Sequence, residues 1–159
     1  MDRDGLVLGI RTASPADLPE LQRVYRAASL SNPGDALMLL ARPEYLAFTG
    51  DGIAAGRTRL AHAGPDETGR VLGFATASPV SESELELDDL FVDPPFQRRG
   101  VARRLVVDAA RSGAAAGFRR ILVTANPHAR SFYLAAGFVD GQGVTTPLGE
   151  GRRMRLDLA

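Results

Sequence analysis

The chain has 159 residues, 45% hydrophobic and 24% charged, with 19 basic and 19 acidic side chains that cancel to zero formal charge. Its length allows one domain with a real core, expected over residues 1–159, and its neutrality argues against bulk attraction to nucleic acid or an anionic membrane. Without cysteine there is no disulfide, thiolate metal site or thiol nucleophile, and two histidines make a histidine-rich metal site a poor prospect, so no metal is expected.

No window approaches the ~18 consecutive apolar residues of a membrane span. Met1–Gly5 is polar and lacks the basic-then-apolar pattern of a secretory signal, so the expected compartment is the cytoplasm. Leu6–Arg11 is a short apolar run consistent with a first strand. Ser14-Pro15-Ala16-Asp17 is a helix start, with a hydroxyl cap, a first-turn proline and an acid three residues on. Leu18, Leu21, Val24, Tyr25 and Ala28 follow at helical spacing, and Ser31-Asn32-Pro33-Gly34 breaks the pattern. A second helical stretch runs from Asp35 to about Phe48, with Pro43 kinking or dividing it.

Thr49–Gly52 reads as a turn, followed by strands over Ala54–Ala63 and Gly69–Ser78 around the hairpin loop Gly64–Gly69. Pro79–Ser83 then leads into the strand Glu84–Val92, where alternation places Glu82, Glu84, Glu86 and Asp88 on one face. A helix is expected from about Arg99 to Ala115 and a strand over Arg119–Ala125, which makes a parallel crossover unit. Asn126-Pro127 opens a further helix with Ala129, Phe132, Tyr133 and Ala136 on its apolar side, and Gly137 ends it. Phe138-Val139 and Arg153–Leu158 read as closing strands, with Asp140–Gly151 a glycine-rich mobile loop between them.

The most informative stretch runs from Leu85 to Gly113. Asp93-Pro94-Pro95 must stop the strand, because proline fixes φ and offers no ladder hydrogen. Gln97-Arg98-Arg99-Gly100-Val101-Ala102-Arg103 then enters a helix whose first amides have no intrahelical partner and whose dipole favours an anion. Gly100 and Ala102 leave room for close approach, while Arg98, Arg99 and Arg103 add charge. A plain strand-to-helix turn with a solvated basic rim is the alternative reading. A mononucleotide site of the Walker type lacks both its spacing and its lysine here.

Leu90-Phe91-Val92-Asp93-Pro94 followed by Gln97-Arg98-Arg99-Gly100-Val101-Ala102 resembles the acyl-CoA signature of the GNAT-type N-acetyltransferases, with its core Gln/Arg-x-x-Gly-x-Gly/Ala. Asn126 and Phe132-Tyr133-x-x-x-Gly137-Phe138 match that family's second landmark, in the right order and with a strand and a helix between. The resemblance implies a mixed α/β domain of the α+β type. Its central sheet would be mostly antiparallel, flanked by helices and splayed at the middle strands around acetyl-CoA. The amides of Arg98, Arg99, Gly100, Val101, Ala102 and Arg103 would hold the diphosphate. The main chain of Leu90, Phe91 and Val92, freed by a bulge, would pair with the pantetheine arm and the acetyl oxygen; plain core strand is the other reading of these three.

Asn126 is a helix cap, a ligand of the CoA arm, or both. Tyr133 is the candidate acid for the departing thiolate: two adjacent aromatics cannot both point fully into a core, which favours the donor role over a buried ring. Glu86 matches the base position of histone-type members, while the strand site used by ribosomal-protein-type members falls on Ile121, which cannot act. Asp88 and Asp89 are the fallbacks, and all three acids could form an entrance attracting a cation. Arg130 is a further candidate for the phosphates, and His128 is expected to stay neutral in a helix's first turn.

The implied activity is transfer of an acetyl group from acetyl-CoA to a primary amine by direct attack. The acceptor would be a small amine, an aminoglycoside-like compound or a peptide N-terminus, selected by residues 15 to 52 and the 140–151 loop. The rival is a catalytically weak or inactive acyl-CoA-binding sensor. No nucleic acid or membrane partner is expected, and sheet edges leave a homodimer open.

Overall fold

A computed structural model of the chain describes residues 6–158; Met1–Gly5, read above as carrying no secretory signal, lie outside the described residues. The strands are β1 (Leu8–Thr12), β2 (Thr58–Ala63), β3 (Val71–Pro79), β4 (Glu84–Val92), β5 (Arg120–Ala125), β6 (Val139–Thr146) and β7 (Gly149–Asp157). The helices are α1 (Leu18–Ser29), α2 (Pro33–Ala41), α3 (Asp51–Ala54), α4 (Val101–Ala115) and α5 (Arg130–Ala135). The strands form one mixed sheet in the order β1-β2-β3-β4-β5-β7-β6. Pairing is antiparallel for β1/β2, β2/β3, β5/β7 and β6/β7 and parallel for β4/β5, the crossover that the strand–helix–strand spacing predicts.

By internal contacts the chain divides into two compact units, Met1–Thr76 with Asp89–Leu105, and Ala77–Asp88 with Val106–Ala159. In the first, α1 buries Leu21 and Val24 against Leu60, Val71 and Phe74, with Tyr25, Phe48 and Phe91 packed at the margin. Its apolar stripe forms because those positions recur every three or four residues. The helix is entered through a 3-10 turn, Pro15–Asp17, in which Asp17 Oδ2 accepts from the Ser14 amide at 2.8 Å while both its oxygens take the Arg11 guanidinium at 2.8 Å. The Asn32 side chain caps α2 by accepting from the Gly34 amide at 2.9 Å. So the helix starts at Pro33 and not at Asp35, and Pro43 opens a separate 3-10 turn, Pro43–Leu46.

One boundary differs in this unit. Ala54 was expected to open a strand but closes α3, and β2 starts only at Thr58. The Ile53 amide bonds the Gly50 carbonyl and the Arg57 amide that of Gly52, so local turn bonds win over β-propensity.

In the second unit Leu85, Leu87, Ile121, Val123, Ala125, Phe138 and Met154 are buried. The expected mobile loop Asp140–Gly151 is instead a hairpin, with β6 and β7 pairing from Val139↔Arg155 to Thr146↔Gly149 across a register shift between Asp140 and Gly143. Glycine is what allows it: a Cβ on Gly141 would lie 2.4 Å from the Arg153 carbonyl oxygen, so only a residue without a side chain fits that close approach. The segment read as a helix from Asn126 is a turn over residues 127–129 followed by the six-residue α5.

Candidate active site

The turn after β4 has the geometry of an anion cradle. Pro94–Phe96 makes a 3-10 turn, Arg98 then adopts φ 61° and Gly100 φ 85°, and the Arg104 amide bonding the Gly100 carbonyl at 3.0 Å closes the first turn of α4. The amides of Val101, Ala102 and Arg103 therefore occupy the positions that an α-helix leaves without an intrahelical partner. Left-handed backbone at a non-glycine residue is costly, and Arg98 is the non-glycine residue that adopts it at this turn. Arg98 and Arg103 are exposed, Arg99 and Ala102 half-buried, and Val101 is fully buried as the anchor of the helix.

Leu90, Phe91 and Val92 end β4, the first two half-buried and the third buried. The alternation of Glu84 to Asp88 does not carry through to them. Leu85 and Leu87 are buried with Glu84 and Glu86 half-exposed, then Asp89, Leu90 and Phe91 are all half-buried and Val92 is buried. The parallel register with β5 covers only Glu84↔Arg120, Leu85↔Ile121 and Glu86↔Leu122. A Cβ on Gly73 would lie 2.7 Å from the Phe91 carbonyl oxygen, so β3 is pressed against this segment by a glycine. The Val92 carbonyl accepts from the Gln97 side chain at 3.3 Å, which occupies one of its two lone pairs.

Three side chains of this unit escaped the reading of the sequence. Asp93, 2% exposed, accepts on Oδ2 from Arg70 at 3.0 Å and from Arg23 at 3.2 Å, while its amide donates to the Leu72 carbonyl at 2.8 Å. Arg70 also sits over the Phe96 ring, 5.2 Å from its centroid. The one signal for this cluster was an acid directly before two prolines; nothing local marks Arg23 or Arg70 as its partners.

In the second unit, Tyr133 is the inward-facing member of the aromatic pair, 7% exposed, while Phe132 is half-buried. Its ring meets Phe132 and Phe138 edge-on at 5.2 and 5.1 Å. Tyr133 is thus the buried ring of the pair, and burial does not exclude a donor: it pushes the phenol up to about 12, so the hydroxyl keeps its proton throughout the neutral range. Asn126 accepts on Oδ1 from the Ala129 amide at 2.9 Å, capping the turn before α5. His128 is exposed in that turn.

Glu86 is clamped. Arg153 donates Nη1 to Oε2 at 3.0 Å and Nη2 to Oε1 at 2.9 Å, and Nη1 also reaches Thr124 Oγ1 at 2.7 Å. A carboxylate has lone pairs beyond the two used in such a fork, so it can still accept from a water. Asp88 is exposed and accepts from Ser78 Oγ at 2.5 Å, and Asp89 is half-buried. Ile121 is core, and Arg130 is paired with Asp140 through Nε at 2.9 Å. Among the described residues no group of three or more His, Cys, Asp or Glu could hold a metal ion, and no helix is long and apolar enough to cross a membrane.

A mixed, mostly antiparallel sheet with one parallel crossover, flanked by helices and followed after β4 by a glycine turn that opens a helix, defines the fold class. The profile of the acetyltransferase (GNAT) family matches residues 22–138, and the chain belongs to that family. Among solved structures it is similar to the PaiA N-acetyltransferase of Thermoplasma acidophilum, solved in complex with coenzyme A, at 19% identity and TM-score 0.73 over 95% of this chain and 99% of that one. It is similar to the ribosomal-protein-S18-alanine N-acetyltransferase of Escherichia coli at 19% identity and TM-score 0.68, over 96% and 95% of the chains. The phosphinothricin acetyltransferase of Sinorhizobium meliloti, in complex with AcCoA, matches at 20% identity and TM-score 0.68 over 96% and 89%. No curated protein matches the chain significantly.

Proposed function

We propose that this single-domain chain is a cytoplasmic N-acetyltransferase that moves the acetyl group of acetyl-CoA to a primary amine by direct attack. The observation that carries the proposal is the Arg98–Gly100 turn, whose left-handed backbone opens α4 at the family's signature. Amides of Arg98 to Arg103 hold the diphosphate and the main chain of Leu90 and Phe91 orients the pantetheine arm, with Asn126 beside it. Such binding brings the thioester and the amine into one encounter, the main entropic obstacle to the reaction. Tyr133 supplies a proton-bearing phenol to the departing sulfur, a role its burial favours by keeping it protonated. Glu86 receives the ammonium proton through a water. An amine carrying positive charge suits exposed Asp88 on β4, whose neighbours Glu84 and Glu86 are paired with Arg120 and Arg153, so the acceptor is a small amine, an aminoglycoside-like compound or a peptide N-terminus.

Purified protein mixed with acetyl-CoA and a panel of such amines should release CoA thiol above background with at least one of them. Silence with every amine, together with no binding of CoA, overturns the proposal. CoA binding without thiol release favours the second reading, an acyl-CoA-binding sensor, for which the fork of Arg153 on Glu86 is the supporting observation.

A further inference from the structure

The amides that would hold a diphosphate are only as well placed as the backbone before them. Arg98 at φ 61° holds a conformation that L side chains adopt only at a cost, and such strain persists only where the neighbours over-determine it. The segment Val92–Gln97 supplies that constraint. The Asp93 amide bonds the Leu72 carbonyl at 2.8 Å, the Phe96 amide bonds the Asp93 carbonyl at 2.8 Å, and the Gln97 amide bonds the Pro94 carbonyl at 3.2 Å. Gln97 reaches back to the Val92 carbonyl at 3.3 Å. At the joint between strand and turn stands the Asp93 carboxylate, its side chain 3% exposed, with two guanidinium groups on one oxygen. Arg23 comes from α1, where it also bonds Glu20, and Arg70 comes from the residue before β3 and lies on the Phe96 ring of the turn itself. An acid this buried is costly unless paired, so the trio is a rigid joint with little freedom to rearrange.

Resting on the reading of the turn as a diphosphate site, we infer that Asp93, gripped by Arg23 and Arg70, is the positioning residue that fixes this turn. The trio tunes affinity for the diphosphate of the acyl carrier without contacting it. Releasing the joint lets Arg98 relax toward ordinary backbone and swings the following amides off the anion. Groups that hold the pantetheine arm are not routed through the joint, so a ligand without the diphosphate is insensitive to it.

The full-length wild type and Asp93→Asn, which keeps the side-chain volume and removes the charge, are titrated with CoA and with pantetheine, alongside thermal melts. The expected result is a CoA affinity lowered about tenfold in the variant, the scale of a lost charge-assisted hydrogen bond, with pantetheine affinity unchanged. Unchanged CoA affinity, or an equal loss for both ligands, overturns the inference, the latter because it marks a merely structural role. If Asp93→Asn does not fold, Arg23→Ala and Arg70→Ala decide. Their side chains are 39% and 54% exposed, each carries one arm of the joint, and CoA affinity at the wild-type level in both overturns the inference. A wild type that binds no CoA overturns the functional reading, and the joint's role falls with it. A wild type that binds CoA alongside an indifferent variant overturns the joint alone.

Discussion

The two compact units hold their charges in opposite ways. In the first, two carboxylates are shielded and sit at proline-led 3-10 turns: Asp17, with its side chain 14% exposed, takes Arg11, and Asp93, 3% exposed, takes Arg23 and Arg70. In the second, arginines line the exposed sheet, with Arg120 near Glu84, Arg152 near Asp140 and Arg155 near Asp157, most of these side chains a third to two thirds exposed. Shielded pairs fix backbone geometry, because breaking one leaves a buried charge; exposed pairs are screened and contribute little. The chemistry proposed for the second unit therefore rests on a phenol buried among aromatics, and that proposed for the first on main-chain geometry beside the Asp93 ion pairs.

The sharpest test of that contrast removes the phenol. Tyr133→Phe keeps the ring contacts with Phe132 and Phe138, so the protein should melt near the wild-type temperature while kcat falls roughly a hundredfold, the lower end of general acid catalysis. Because burial holds the phenol near 12, the wild-type rate profile should show no Tyr133 limb below pH 10. The same raised value stabilises the fold below its ordinary pKa of 10 and is lost as pH rises through about 12. An unchanged kcat in Tyr133→Phe would place the acid elsewhere.

Next in size is the backbone of the first unit. Gly100 lies at φ 85°, where a β-branched residue is strained by about 2 kcal/mol, so Gly100→Val should weaken CoA binding roughly thirtyfold in a calorimetric titration. Unaltered affinity would mean that the turn does not hold the diphosphate.

These two positions also mark what was legible in the sequence. The turn could be read because main-chain binding needs small residues, and Gly100 and Ala102 stand in a spacing that few other tasks require. The parallel crossover was legible from the 3.6-residue stripe through Leu105 and Val106 between two apolar runs. The β6–β7 hairpin was not, because Gly141, Gly143, Gly149 and Gly151 imitate a loop; Gly141 allows a close backbone approach at the bulge and Gly149 takes a left-handed φ of 119°, needs that exist only once both strands are in place. The partners of Asp93 and Glu86 were hidden for a related reason. Arg23 and Arg70 are 70 and 23 residues away from Asp93 and Arg153 is 67 from Glu86, and nothing in a local window distinguishes them from solvated arginines.

Asp17 tests the shielded class without touching the candidate site. The Arg11 guanidinium holds its carboxyl down at about 2, against an ordinary 3.8, a difference of about 2 kcal/mol in folding free energy. A lowered carboxyl stabilises the fold above its unfolded value and loses that stabilisation as pH falls. Denaturant midpoints of the wild type should therefore decline between about pH 4 and pH 2 by more than those of Asp17→Asn, which lacks the titrating group. Parallel declines would show that the pair is as screened as those on the exposed sheet.

The smallest effect separates chemistry from structure at Glu86. Its fork with Arg153 joins side chains 21% and 32% exposed, between the two classes, so losing the pair should cost less than about 1 kcal/mol of stability from either side. Arg153→Gln and Glu86→Gln break the same fork, but only the second removes the carboxylate. If Glu86 takes the proton through a water, Glu86→Gln should lower kcat about tenfold, a modest figure because solvent can partly replace a water-relayed base, while Arg153→Gln stays within about twofold of the wild type. Equal losses in both would make the fork itself the functional unit and Glu86 a holder of Arg153 in place of a base. That outcome would extend the logic of the first unit, in which a carboxylate positions and does not react, to the second.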